Sequence, residues 1–92
     1  MCKINKPIID TAATAANIKA LRIRAGYSVK QIQSIFNFSS PQAVYNWEAG
    51  RDVPVIDNII VLASVYGVKM DDIIKTKIIE MECDTEVILK SV

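Results

Sequence analysis

Residues 28–51 read SVKQIQSIFNFSSPQAVYNWEAGR, and this stretch decides the fold. It spells two short helices joined by a tight polar turn. Ser28 has the chemistry to cap the first helix, and Gln31, three residues on, can reach back to the Ser28 amide. Tyr27 before the cap and Ile32 at the fourth helical position suit a hydrophobic staple. Val29, Ile32, Ile35 and Phe36 form one apolar stripe at helical spacing, which predicts a helix over 29–36. Asn37 can take a left-handed conformation and stop it.

The second helix has its own start signal. Ser40 is the expected cap and Pro41 suits the first helical position, where a missing N–H costs nothing. At about 100° per residue, Ser40, Val44, Trp47 and Glu48 share one face. The opposite face carries Gln42, Tyr45, Asn46 and Ala49, and Gly50 ends the helix before Arg51. A helix over 41–49 thus turns apolar residues inward and amides plus a phenol outward. A helix that reads base edges in a DNA major groove needs that arrangement.

This stretch resembles the helix-turn-helix of the Xre-type, phage-repressor-like family of DNA-binding domains. The resemblance covers residues 14–75, about two thirds of the chain. Its most specific parts are the run Trp47-Glu48-Ala49-Gly50-Arg51 after Gln42-Ala43-Val44, and Pro54 soon afterwards. It implies an all-α fold, a compact five-helix phage-repressor-like DNA-binding domain. It also implies a structural ion pair between Arg22 and Glu48, since the family joins an arginine and a glutamate at the matching positions. Two departures stand out. The fifth position of the family's first motif helix is usually small, and here it is Gln33. The turn is usually one residue shorter with glycine near its start, and here it reads Asn37-Phe38-Ser39-Ser40. A longer turn can make room for a larger side chain, with Phe38 as an apolar plug beneath it.

The remaining helices follow from periodicity and stop signals. The first is expected from Thr14 or Ala15 to Ala25, capped by Thr14 and stopped by Gly26, with Ile18, Leu21, Arg22 and Ala25 inward. Pro54 makes 52–54 a connector and biases Val53 to extended backbone. The fourth helix is expected from Val55 or Ile56 to Tyr66, with Ile56, Ile59, Ile60, Ala63 and Tyr66 on one face. Leu62 and Val65 then fall on the far side, as candidates for a dimer contact. Family members often cap this helix with serine or threonine. Val55 cannot do so, although Asp57 suits the helix dipole. A short fifth helix over 70–75 places Asp71 and Asp72 at its positive end.

Both ends of the chain lie outside the resemblance. Residues 1–13 have no helical period and form an N-terminal arm or a short strand. In 76–92, Ile79, Met81 and Cys83 alternate with Glu80, Glu82 and Asp84, a strand periodicity, and Val87-Ile88-Leu89 is a second apolar run. A short C-terminal β or helical extension is expected. A lone two-stranded ribbon is marginal in water, so a β tail calls for a partner: the N-terminal segment or the same tail of a second subunit.

Bulk properties narrow the function. The chain has 92 residues, enough for one small domain. Hydrophobic content is 51% with mean hydropathy +0.25. A domain this small hides limited apolar surface, so either a second copy covers some of it or ordinary surface leucines and isoleucines account for it. No run approaches the ~18 apolar residues of a membrane helix, and Asp10 interrupts the only candidate signal segment, which points to the cytoplasm. Cys2 and Cys83 lack metal-site spacing and there is no histidine, so neither a metal nor another cofactor is expected. In a reducing cytoplasm two thiols are expected. Residues 1–55 hold seven basic and three acidic groups, a charge of +4, whereas 56–92 carry −3. The half with the two motif helices is the basic one, as a phosphate-facing surface requires.

These readings converge on a sequence-specific regulator of double-stranded DNA acting as a homodimer. The candidate DNA-binding residues are Ser28, Lys30 and Gln31 at the start of the first motif helix, then Ser40, Pro41, Gln42, Tyr45, Asn46 and Arg51. Amide N–H groups, Ser28 and Lys30 suit phosphates, Gln42 and Asn46 each suit adenine, and Arg51 suits a phosphate clamp. The competing reading is a helix-turn-helix protein-interaction module such as an antitoxin. An enzyme is not expected, because there is no histidine, no glycine-rich loop and no carboxylate pair beside a nucleophile.

Overall fold

The computed structural model describes residues 2–83. Strand β1 (Cys2–Ile9) leads into α1 (Thr11–Ala25), α2 (Val29–Ile35), α3 (Gln42–Ala49), α4 (Ile56–Tyr66) and α5 (Met70–Ile73), and strand β2 (Thr76–Cys83) follows. The all-α expectation is thus corrected. Five helices stand beside a two-stranded antiparallel sheet in which β1 and β2 pair along their whole length, from Cys2 opposite Cys83 to Ile9 opposite Thr76. The alternation in 76–83 therefore finds its partner within the same chain. The second apolar run at 87–89 lies outside the described residues.

The helices bury one core, centred on Ile18, Leu21, Ile32, Val44, Trp47, Ile59, Leu62 and Ile73. Among the described residues, no helix is long and apolar enough to cross a membrane. Helix α1 starts earlier than its periodicity suggested, because the Asp10 carboxylate accepts the Ala13 amide at 3.0 Å and caps it. Thr14 is therefore a buried helical residue. Its hydroxyl donates to the Lys75 carbonyl at 3.2 Å and accepts the Lys75 amide at 2.9 Å, tying α1 to the root of β2. Ala25 is exposed.

Helix α4 is rotated relative to the expected face. Ile59, Ala63 and Tyr66 are buried, but Leu62 is fully buried while Ile56 and Ile60 are 65% and 52% exposed. Leu62 is a core residue and no dimer contact. The fifth helix stops at Ile73, and Ile74 is already extended. The Asp72 carboxylate accepts the Lys69 amide at 3.0 Å at its start.

The ribbon stands apart from this body. The molecule measures 51 × 23 × 21 Å. Eight residues of strand span about 26 Å at ~3.3 Å each, so the ribbon accounts for about half the length. The register places Ile4, Lys6 and Ile8 with Met81, Ile79 and Lys77 on one face. The other face carries Lys3, Asn5, Glu80 and Glu82, with Lys3 3.3 Å from Glu80.

Candidate nucleic-acid interface

Helix α2 begins with the reciprocal arrangement its sequence spells. The Ser28 hydroxyl accepts the Gln31 amide at 3.1 Å, and the Gln31 side chain accepts the Ser28 amide at 2.8 Å. Ile32 is fully buried. Ile35, expected in the same stripe, is exposed, and Phe36 is half-buried at the helix end. Asn37 has φ +55°, the only left-handed residue besides glycine among those described.

The long turn is held by the residue that departs from the family pattern. Gln33 Nε2 donates to the Phe38 carbonyl at 3.2 Å, so the larger side chain serves a backbone group of the turn. Phe38 lies stacked on Phe36, with ring centres 5.1 Å apart, and meets Trp47 edge-on at 5.8 Å. Phe36 also meets Trp47 edge-on at 5.3 Å. Three rings thus fix where the turn delivers α3.

Helix α3 starts at Gln42, with Pro41 in the cap position and no side-chain cap of its own. Ser40 is exposed and its hydroxyl accepts the Gln42 amide at a long 3.4 Å. Val44 and Trp47 are buried, and Glu48 is half-buried toward α1. Gln42, Tyr45 and Ala49 are exposed and Asn46 is half-buried. Gly50 closes the helix at φ +77°. That turn brings Arg51 back over α3, where its Nη1 lies 3.4 Å from Asn46 Oδ1. Gln42 Nε2 donates to the same oxygen at 2.9 Å.

Arg22 and Glu48 set the angle between α1 and α3. Arg22 Nε and Nη2 donate to the two Glu48 carboxylate oxygens at 2.8 and 2.9 Å, and Nη1 donates to the Tyr27 carbonyl at 3.0 Å. The hydrogen bond to Glu48 pushes the Arg22 pKa above its ordinary value, against the opposing effect of burial. An open cleft of about 300 Å³ beside this pair is lined by Lys19, Arg22, Tyr45, Glu48 and Ala49.

The structure brings Gln42, Asn46 and Arg51 into one hydrogen-bonded group on the outer face of α3. Ser28, Lys30 and Gln31 lie exposed at the start of α2, and Tyr45 is 50% exposed on α3. Sequence reasoning passed over Lys19, which reaches the same cleft as Tyr45. Its three-residue spacing from Arg22 on α1 was the available signal.

A helix-turn-helix family model matches residues 18–73, more than half of the chain. The chain belongs to the Xre/Cro-like helix-turn-helix family. This is a family of DNA-binding domains, and α2, the turn and α3 are its motif in this chain. No curated protein sequence matches the chain.

Proposed function

We propose that the chain is a sequence-specific, double-stranded DNA-binding transcriptional regulator that works as a homodimer in the cytoplasm. The observation that carries this reading is the division of α3. Val44 and Trp47 anchor one side in the core, while Gln42, Tyr45, Asn46 and Arg51 line the other. In this reading α3 enters the major groove and Gln42 and Asn46 face base edges. Ser28 and Lys30, at the start of α2, and Arg51 meet phosphates. Residues 1–13 act as an arm, 14–75 as the reading domain and 76–92 as a dimerisation or strand-pairing segment.

Selection of bound sites from random duplex DNA tests this. A two-fold symmetric enriched site is expected, its half-site spacing set by the dimer. Affinity should fall steeply as salt rises, because several phosphates release counterions. No enrichment over random duplex would overturn the reading.

A second reading has one observation in its favour. Ile4, Ile79 and Met81 are exposed on one face of the ribbon, and Ile56 and Ile60 on α4. Such surfaces suit a protein partner, as in an antitoxin-like interaction module. Association through them would persist at high salt, where DNA binding would not.

A further inference from the structure

We propose that Gln42 and Asn46 read DNA as one hydrogen-bonded unit, in which Asn46 presents only N–H donors and selects guanine instead of adenine. This rests on the DNA-reading role proposed above for α3.

Each of the two readers ends in a side-chain amide. It has one oxygen with two lone pairs and one NH2 with two donors. Asn46 Oδ1 accepts from Gln42 Nε2 at 2.9 Å and faces Arg51 Nη1 at 3.4 Å. Both acceptor positions are therefore engaged within the protein. Turning the Asn46 amide over would set its NH2 against the Arg51 guanidinium, which can only donate, whichever way the Gln42 amide then turned. The Arg51 cation thus holds the Asn46 amide in one orientation, and Asn46 Oδ1 in turn orients the Gln42 amide. The four-residue spacing of Gln42 and Asn46 on a helix makes their contact a local one that needs no DNA to form.

Base chemistry then separates the two residues. Reading adenine with both amide groups takes one acceptor, for the N6 amino group, and one donor, for N7. Gln42 keeps its Oε1 and one N–H, so it retains that pair. Asn46 keeps only its two Nδ2 hydrogens. Two donors fit the adjacent N7 and O6 acceptors of guanine, whereas adenine sets its own N6 amino group beside N7 and thymine offers O4 alone. The identity of the residue alone suggests two equivalent adenine readers, whereas the hydrogen bonds make them unequal.

The test is selection from random duplex DNA with the full chain and with Asn46→Ala, Asn46→Asp and Gln42→Ala, each checked for folding by circular dichroism. The position at which Asn46→Ala loses preference is the one Asn46 reads. Wild type should favour guanine there over adenine by about ten-fold. Asn46→Asp keeps both incoming hydrogen bonds but has no donor, so preference there should move to cytosine, which displays an amino group. Gln42→Ala frees one Asn46 lone pair and should admit adenine at a base pair that Gln42 does not touch. Adenine preferred there by wild type would overturn the proposal, as would a Gln42→Ala profile altered only at its own base pair. Should Gln42→Ala not bind, the wild-type preference and the Asn46→Asp shift decide. Failure of wild type to enrich any site overturns the DNA-reading role itself, and this inference with it.

Discussion

Arg22 on α1 and Glu48 on α3 form a two-pronged ion pair at 2.8 and 2.9 Å, with only 12% and 7% of their side chains exposed. The pair sits beneath the exposed face of α3 and joins the helix that leaves the ribbon to the helix that would read DNA. Its planar fork matches both carboxylate oxygens, so it fixes rotation as well as distance. Removing one partner leaves the other buried and unpaired. Glu48→Ala or Arg22→Ala should therefore cost about 3–5 kcal/mol in chemical denaturation. The double replacement Arg22→Met with Glu48→Leu should recover much of that stability, because desolvation offsets most of the pair's attraction. Single variants that unfold at wild-type denaturant would show that the pair is solvated and idle.

Trp47 gives the second prediction. It is buried and touches Phe36 and Phe38 edge-on, so it supports both α3 and the turn that delivers it. Trp47→Ala should cost about 3–5 kcal/mol by leaving a cavity. Trp47→Phe fills part of that space and should lose distinctly less. Equal losses for the two variants would contradict a packing role.

The Gln33 amide predicts a smaller and more local effect. Its hydrogen bond to the Phe38 carbonyl is a single neutral contact at 3.2 Å in a partly buried turn. Gln33→Ala should cost about 1 kcal/mol. Hydrogen exchange should rise first in the turn at 37–40, with α4 protected as before. Uniformly faster exchange would mean that Gln33 serves the core as a whole.

What was legible in the sequence depended on how local the cause was. The α2 cap needs only Ser28 and Gln31, three residues apart, and both were readable. So was the alternation of β2. Its partner was harder, since the register joins Cys2 to Cys83 across nearly the whole chain. The start of α1 was misread because Asp10 caps a run of threonine and alanine that carries no apolar period. The face of α4 was misread because Ile56, Ile59, Ile60, Val61, Leu62 and Val65 make it apolar all round. Periodicity cannot choose a side there, and contact with the core does. Within the candidate site, the outward face of α3 was legible from Val44 and Trp47. The hydrogen bond from Gln42 to Asn46 and the return of Arg51 were not, because they depend on side-chain orientation and on the turn at Gly50.

Tyr66 makes the stability of the fold depend on pH. The residue is buried beside Tyr27, their ring centres 6.4 Å apart. Among the described residues, its hydroxyl is the buried side-chain polar atom with no hydrogen-bond partner. Burial raises its pKa from 10.0 to about 12, the nearby Glu48 charge adds to this, and Arg22 opposes it. The fold therefore favours the neutral phenol. A group whose pKa is higher when folded contributes stability fully below its unfolded value, and that contribution disappears as pH climbs through the folded value. Wild-type stability should thus fall between about pH 10 and about pH 12. Tyr66→Phe has no proton to lose and removes an unsatisfied polar group. At neutral pH it should equal or exceed wild type, by up to about 1 kcal/mol. The gap should then widen in its favour above pH 10. Other groups titrate in both proteins, so the difference between the two denaturation curves is the quantity to follow. A gap that stays constant from pH 8 to 12 would mean that the hydroxyl ionises as easily in the folded chain as in the unfolded one.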